Sequence, residues 1–151
     1  RVELPGQLLS IKLGPGLRGT IYDGLQIPLY PMAEEYGFFL KRGAEIEPFD
    51  MEKPWAFQAA CSAGDYLPPG GVLGTLQERQ TLNKIMVPFS EPGQVEVLSI
   101  DSGNLAGNDI VATIRDSRGQ QRELPLCQQW PVRQPLIANM LRQRVVERKY
   151  P

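Results

Sequence analysis

The sequence predicts a mainly β protein, a compact barrel or sandwich carrying one short helix. Three observations lead there. The 15 glycines and 14 prolines make up about a fifth of the 151 residues, a composition that favours turns. Short apolar runs recur between those turns at close spacing. Within some runs the apolar residues alternate, as in "GQVEVLSI", where Val95, Val97 and Ser99 face one way and Glu96, Leu98 and Ile100 the other. A chain of this length buries roughly 68–70% of its unfolded surface, enough for a core without staples.

From Val2 to Leu29 the text reads as two strands, "LLSIKL" and "GTIYDGL", joined by a glycine-rich turn. Gly14, Gly16 and Gly19 spell G-x-G-x-x-G. That spacing binds a dinucleotide only where a helix opens behind it, because the free N–H groups of the helix N-terminus hold the pyrophosphate. Here Thr20, Ile21 and Tyr22 follow, which favour strand, and then Asp23-Gly24 and Pro28. The glycines are therefore read as bends that allow positive φ. No Gly-Lys-Ser or Gly-Lys-Thr occurs in the chain, so the phosphate-loop pattern fails too.

The run "MAEEYGFFLKR" places Met32, Tyr36, Phe39 and Leu40 at helical spacing. Acidic Glu34 and Glu35 come early, Lys41 and Arg42 late, and Gly43 is the expected stop. Gly37 inside this helix costs about 1 kcal/mol of propensity. Six strand-like segments follow a proline-bearing passage: "WAFQAACSA", "GVLGTLQ", "NKIMVPF", "GQVEVLSI", "NDIVATIRD" and "QQRELPLCQQW". Pro68-Pro69-Gly70-Gly71, Glu91-Pro92-Gly93 and Ser117-Arg118-Gly119 mark turns between them. The tail carries Leu136, Met140, Leu141 and Val145 at loosely helical positions, with Arg142, Arg144, Arg148 and Lys149 against Glu147.

Acidic and basic residues are balanced, 17 against 16, and well mixed, so nucleic acid is not expected as a partner. Histidine is absent, which removes the commonest general base and metal ligand together. Cys61 and Cys127 lie in apolar settings and read as buried reduced thiols, in keeping with a cytoplasmic protein. With no apolar stretch of eighteen residues and no signal-peptide pattern, the chain is not expected to span a membrane or enter the secretory route by its own sequence. The chain begins at Arg1, so a piece of a longer polypeptide is expected.

The segment "GDYLPPGGVL", with the hairpin "NKIMVPFSEPGQVEVLSIDSG" behind it, resembles the biotinyl and lipoyl carrier fold, a barrel-sandwich hybrid of two four-stranded halves. A weaker echo recurs at "SGNLAGNDIVATI". Carriers of that kind hold a modified lysine at a hairpin tip, and Lys84 is the candidate the resemblance offers. A lysine there also serves simply as a solvated charge.

A longer resemblance runs from Leu8 to about Pro135. In one order, "LLSIKLGPGLRGTIYDGLQIPL", Trp55 with Phe57, "GDYLPPGGVLG", "NKIMVPFSEPGQVEVL" and "QQWPVR" are similar to the catalytic A subunit of archaeal and vacuolar-type rotary ATPases. The resemblance implies that residues 1–30 end an N-terminal β-barrel, 31–133 form the β-rich insertion or bulge, and 134–151 lead towards an absent nucleotide-binding domain. It further implies a parent that couples ATP hydrolysis or synthesis to proton or sodium movement, with ATP and magnesium bound downstream and no cofactor in this piece. The expected partners are the peripheral stalk and the B subunits. Phe38, Phe39 and Arg42 on the expected helix are the candidate contact residues, though core packing for Phe39 and solvation for Arg42 suit them equally.

Overall fold

The structure, a computed structural model, describes residues 9–37, 43 and 46–132. Its elements are β1 (Ser10–Leu13), α1 (Leu29–Tyr36), β2 (Trp55–Ala59), β3 (Tyr66–Leu67), β4 (Val72–Glu78), β5 (Thr81–Met86), β6 (Val95–Ile100), β7 (Gly103–Leu105), β8 (Ile110–Arg115), β9 (Gln121–Pro125) and β10 (Gln128–Pro131). Two four-stranded antiparallel sheets, ordered β5-β4-β2-β7 and β3-β6-β8-β9, form the module, as the mainly β reading expects. A separate ladder pairs β1 with β10.

Both sheets contribute to one interior. Trp55, Phe57, Leu73, Leu76 and Ile85 from the first meet Val95, Val97, Val111, Ile114 and Leu124 from the second, with Val87 and Leu126 between strands. Most of these side chains are β-branched or aromatic and suit a pleated, half-buried surface. The alternation read in β6 holds for Val95 and Val97, both fully buried. It then breaks, because the register against β8 shifts between Val97 and Ser99. The extra residue reverses the phase, leaving Ser99 exposed and returning Ile100 to the core.

Turn chemistry fixes the connections. Asp116 accepts the N–H groups of Arg118 and Gln120 through Oδ1, at 2.8 and 2.9 Å, and Gly119 takes φ +81°. Gly70 sits at φ +79° against Phe89, where a Cβ would fall 2.3 Å from the ring.

Three expectations about elements are corrected. "GTIYDGL" is no strand: its one bridge joins Tyr22 to Pro28, and Asp23 Oδ1 instead curls the chain by accepting the N–H groups of Leu25 and Ile27. The helix starts at Leu29 rather than Met32, with Pro31 in its first turn where the missing N–H costs nothing. It is capped at Gly37 (φ +70°), whose N–H bonds Ala33 O, rather than at Gly43. Finally, "QQRELPLCQQW" is two strands, β9 and β10, belonging to different sheets.

Candidate functional site

The glycine-rich loop leaves β1 at Leu13 and crosses to the tip of the β4–β5 hairpin. Alternation along β4 puts Leu76 and Glu78 on the buried side, so a carboxylate arrives where the core ends. Glu78 is 4% exposed and both its oxygens are used. Oε1 accepts the Gly16 N–H at 2.8 Å and Oε2 accepts the Asn83 amide. Gly16 adopts φ +104° and lies against Phe49. Gly14 packs on the thiol of Cys127, where a Cβ would stand 2.2 Å from Sγ. Each glycine thus answers a contact inside the fold.

Gln26 closes the other side of β1. Its φ of +67° turns the side chain onto Lys12, whose N–H it accepts at 2.8 Å and whose carbonyl it meets through Nε2 at 2.5 Å. Tyr22 Oη donates to Pro48 O at 2.7 Å. The loop is therefore sewn to both the ladder and the module. Two parts of a phosphate-binding turn are occupied or lacking here: Pro15 has no N–H and the Gly16 N–H already meets a carboxylate, and among the described residues the first helix opens only at Leu29.

Beside this loop lies a groove of about 720 Å³. Leu13 and Pro15, Leu82 to Met86 of β5, and Phe89 with Trp130 are among the residues that line it. The Phe89 and Trp130 rings meet edge to face, 5.0 Å between centroids. Trp130 Nε1 donates to Gln128 Oε1 at 2.8 Å, which fixes the orientation of that amide. Gln128 is 7% exposed, and its Nε2 has no partner. An unpaired buried donor costs about 1–3 kcal/mol. On the rim, Arg18 and Lys84 are exposed and neither pairs with a carboxylate among the described residues.

Cys127 is buried and Cys61 half-buried, and both thiols are free. Burial, foremost, pushes the Cys127 thiol up to about 11, with Glu47 adding to the rise and Lys12 opposing it. Among the described residues no group of three or more cysteine and carboxylate side chains is placed to hold a metal, and no helix is long and apolar enough to cross a membrane.

Lys84 lies inside β5 opposite Thr75, while the hairpin tip is Arg79-Gln80. It therefore does not stand where a carrier lysine would be presented. Phe38, Phe39 and Arg42 lie outside the described residues, as does the basic cluster of the tail. Sequence reasoning uses Gln128 and Trp130 only as part of the "QQWPVR" family motif, and gives neither them nor Glu78 or Leu82 a role at a site. The further signals there are the i, i+2 spacing of Gln128 and Trp130 and an acidic residue in phase with Leu76.

A sequence model of the ATP synthase alpha/beta subunit barrel-sandwich domain matches residues 46–133, which hold every strand from β2 to β10. The chain belongs to that family. Relatives of this ATP synthase domain extend the likeness over most of the chain. A V-type ATP synthase alpha chain 1 of Treponema pallidum is 41% identical over 137 residues, 90% of this chain and 23% of the relative. A V-type ATP synthase alpha chain of Borrelia turicatae is 38% identical over 138 residues, 91% of this chain and 24% of the relative. The A subunit of an A-type ATP synthase from Methanopyrus kandleri is 40% identical over 135 residues, 89% of this chain and 23% of the relative. The chain thus corresponds to a region of the V/A-type alpha chain, as its motifs suggested, and spans about a quarter of the length of these curated relatives.

Proposed function

We propose that this chain is a non-catalytic insertion module of a V/A-type ATPase A subunit, working as a protein-contact surface for the peripheral stalk. The full subunit, on this reading, makes or hydrolyses ATP in a part outside these residues, couples that to proton or sodium movement, and meets the membrane only through the assembled head on its cytoplasmic side. One observation carries the proposal. In the β1–β10 ladder Ser10 faces Pro131 and Leu13 faces Gln128, so the chain leaves and returns side by side. Everything between is a closed excursion on a two-stranded base. A stator contact has to resist torque without changing shape, and two sheets on a single core with short turns suit that load.

Titration of the chain with a purified V/A-type peripheral-stalk complex tests this. Saturable one-to-one binding is expected, unchanged by ATP and magnesium. Absence of binding, or turnover of ATP by the chain alone, overturns it.

A further inference from the structure

The groove beside the glycine-rich loop has three properties that together define an occupant. First, it follows an open sheet edge. β5 is the outer strand of its sheet, bonded to β4 on one side, and five successive residues, Leu82 to Met86, border the groove. A face would contribute alternate residues, whereas an edge contributes consecutive ones. No backbone hydrogen bond is made from that edge among the described residues. Second, the buried Gln128 Nε2 lacks an acceptor beside the groove. Third, the free rim charges are cationic. Arg18 and Lys84 are unpaired among the described residues, while the carboxylate of Glu78 is buried and engaged by Gly16 and Asn83.

We propose that the β5 edge receives an extended acidic segment of a protein partner, added as a fifth strand. This inference rests on the contact-module reading and names its surface. The backbone of the added strand meets the free N–H and C=O groups of β5, and one of its carbonyls accepts from Gln128 Nε2. On the outward face an apolar side chain pairs with Leu82, which is 57% exposed, and a carboxylate pairs with Lys84 two residues on. The tail of this same chain is the wrong occupant, because Arg142, Arg144, Arg148 and Lys149 would meet Arg18 and Lys84. A second copy of the groove fails for the same reason, since it would set lysine against lysine.

The probe is a labelled octapeptide, Thr-Val-Thr-Glu-Thr-Val-Thr-Glu, read by fluorescence anisotropy and by amide exchange of the chain. Binding is expected to slow exchange at Leu82–Met86. Replacing the glutamates by lysine, or Lys84→Glu in the chain, is expected to weaken binding about tenfold. Lys84→Arg keeps it, and N-methylation of alternate peptide amides abolishes it. Lys84 is exposed in mid-strand, so both variants leave the core intact. Equal binding of the acidic and basic peptides, or unchanged exchange at β5, overturns the proposal. The stalk titration separates the two readings. A stalk that binds wild type and Lys84→Glu equally removes the groove and keeps the contact module; a stalk that ignores the wild type, with the peptide still bound, does the reverse.

Discussion

The N–H of Gly16 donates to Glu78 Oε1 at 2.8 Å across 62 residues of chain. This bond joins the loop leaving the base ladder to the far tip of the module's longest hairpin. It also satisfies a carboxylate that β-strand alternation drives into the end of the core.

Glu78→Ala leaves the Gly16 N–H and the Asn83 amide without their acceptor. An unmet buried donor costs about 1–3 kcal/mol, so the urea midpoint falls accordingly. Glu78→Gln keeps one carbonyl acceptor and is expected to lose less. A midpoint for Glu78→Ala equal to wild type contradicts the latch.

Gly16→Ala is expected to destabilise by more than about 1 kcal/mol, because φ is +104° and the new Cβ meets Phe49 at 3.1 Å. Gly24→Ala is the control. Its Cβ meets nothing within 4 Å, and its φ lies outside the left-handed region. Equal thermal midpoints for the two variants would remove the conformational explanation.

Leu73 is fully buried between the two sheets. Leu73→Ala is expected to cost about 2–5 kcal/mol in denaturant melts, the range for a buried leucine whose cavity closes only partly. A loss below about 1 kcal/mol would mean the sheets do not share this interior.

The Cys127 thiol carries a pH signature. Its folded value, about 11, lies above the ordinary 9.0, so the unfolded chain ionises first as pH rises. Its contribution to stability is complete below pH 9 and declines between 9 and about 11. Cys127→Ala should flatten that part of the stability profile. At pH 8, Ellman's reagent should label half-buried Cys61 before Cys127. Identical alkaline slopes for variant and wild type would contradict the assignment.

Most strands were legible because each is a short apolar run between glycine or proline turns. β3 and β7 were not: Tyr66–Leu67 and Gly103–Leu105 are too short to carry a pattern. "GTIYDGL" has strand propensity, yet the Asp23 side chain captures two N–H groups that a ladder would need. The split at Cys127 was hidden because the apolar run Leu124-Pro125-Leu126-Cys127 spans the junction between β9 and β10, while the pairing changes sheet there. The groove was illegible for a different reason. Its walls come from residues near 13–18, 82–89 and 126–130, and only long-range pairing brings them together. The family, by contrast, was readable from local motifs, since turn residues and "QWPVR" keep their order whatever they contact.

Above all, the G-x-G-x-x-G loop serves the fold: the Gly16 N–H meets Glu78 and Gly14 packs on Cys127, and the account expects no nucleotide there. Isothermal titration of the chain with ATP and magnesium tests this most directly. No saturable heat is expected, with wild type or with Glu78→Gln. Stoichiometric binding that disappears in Gly16→Ala would show that the loop holds a nucleotide, and the claim would fall.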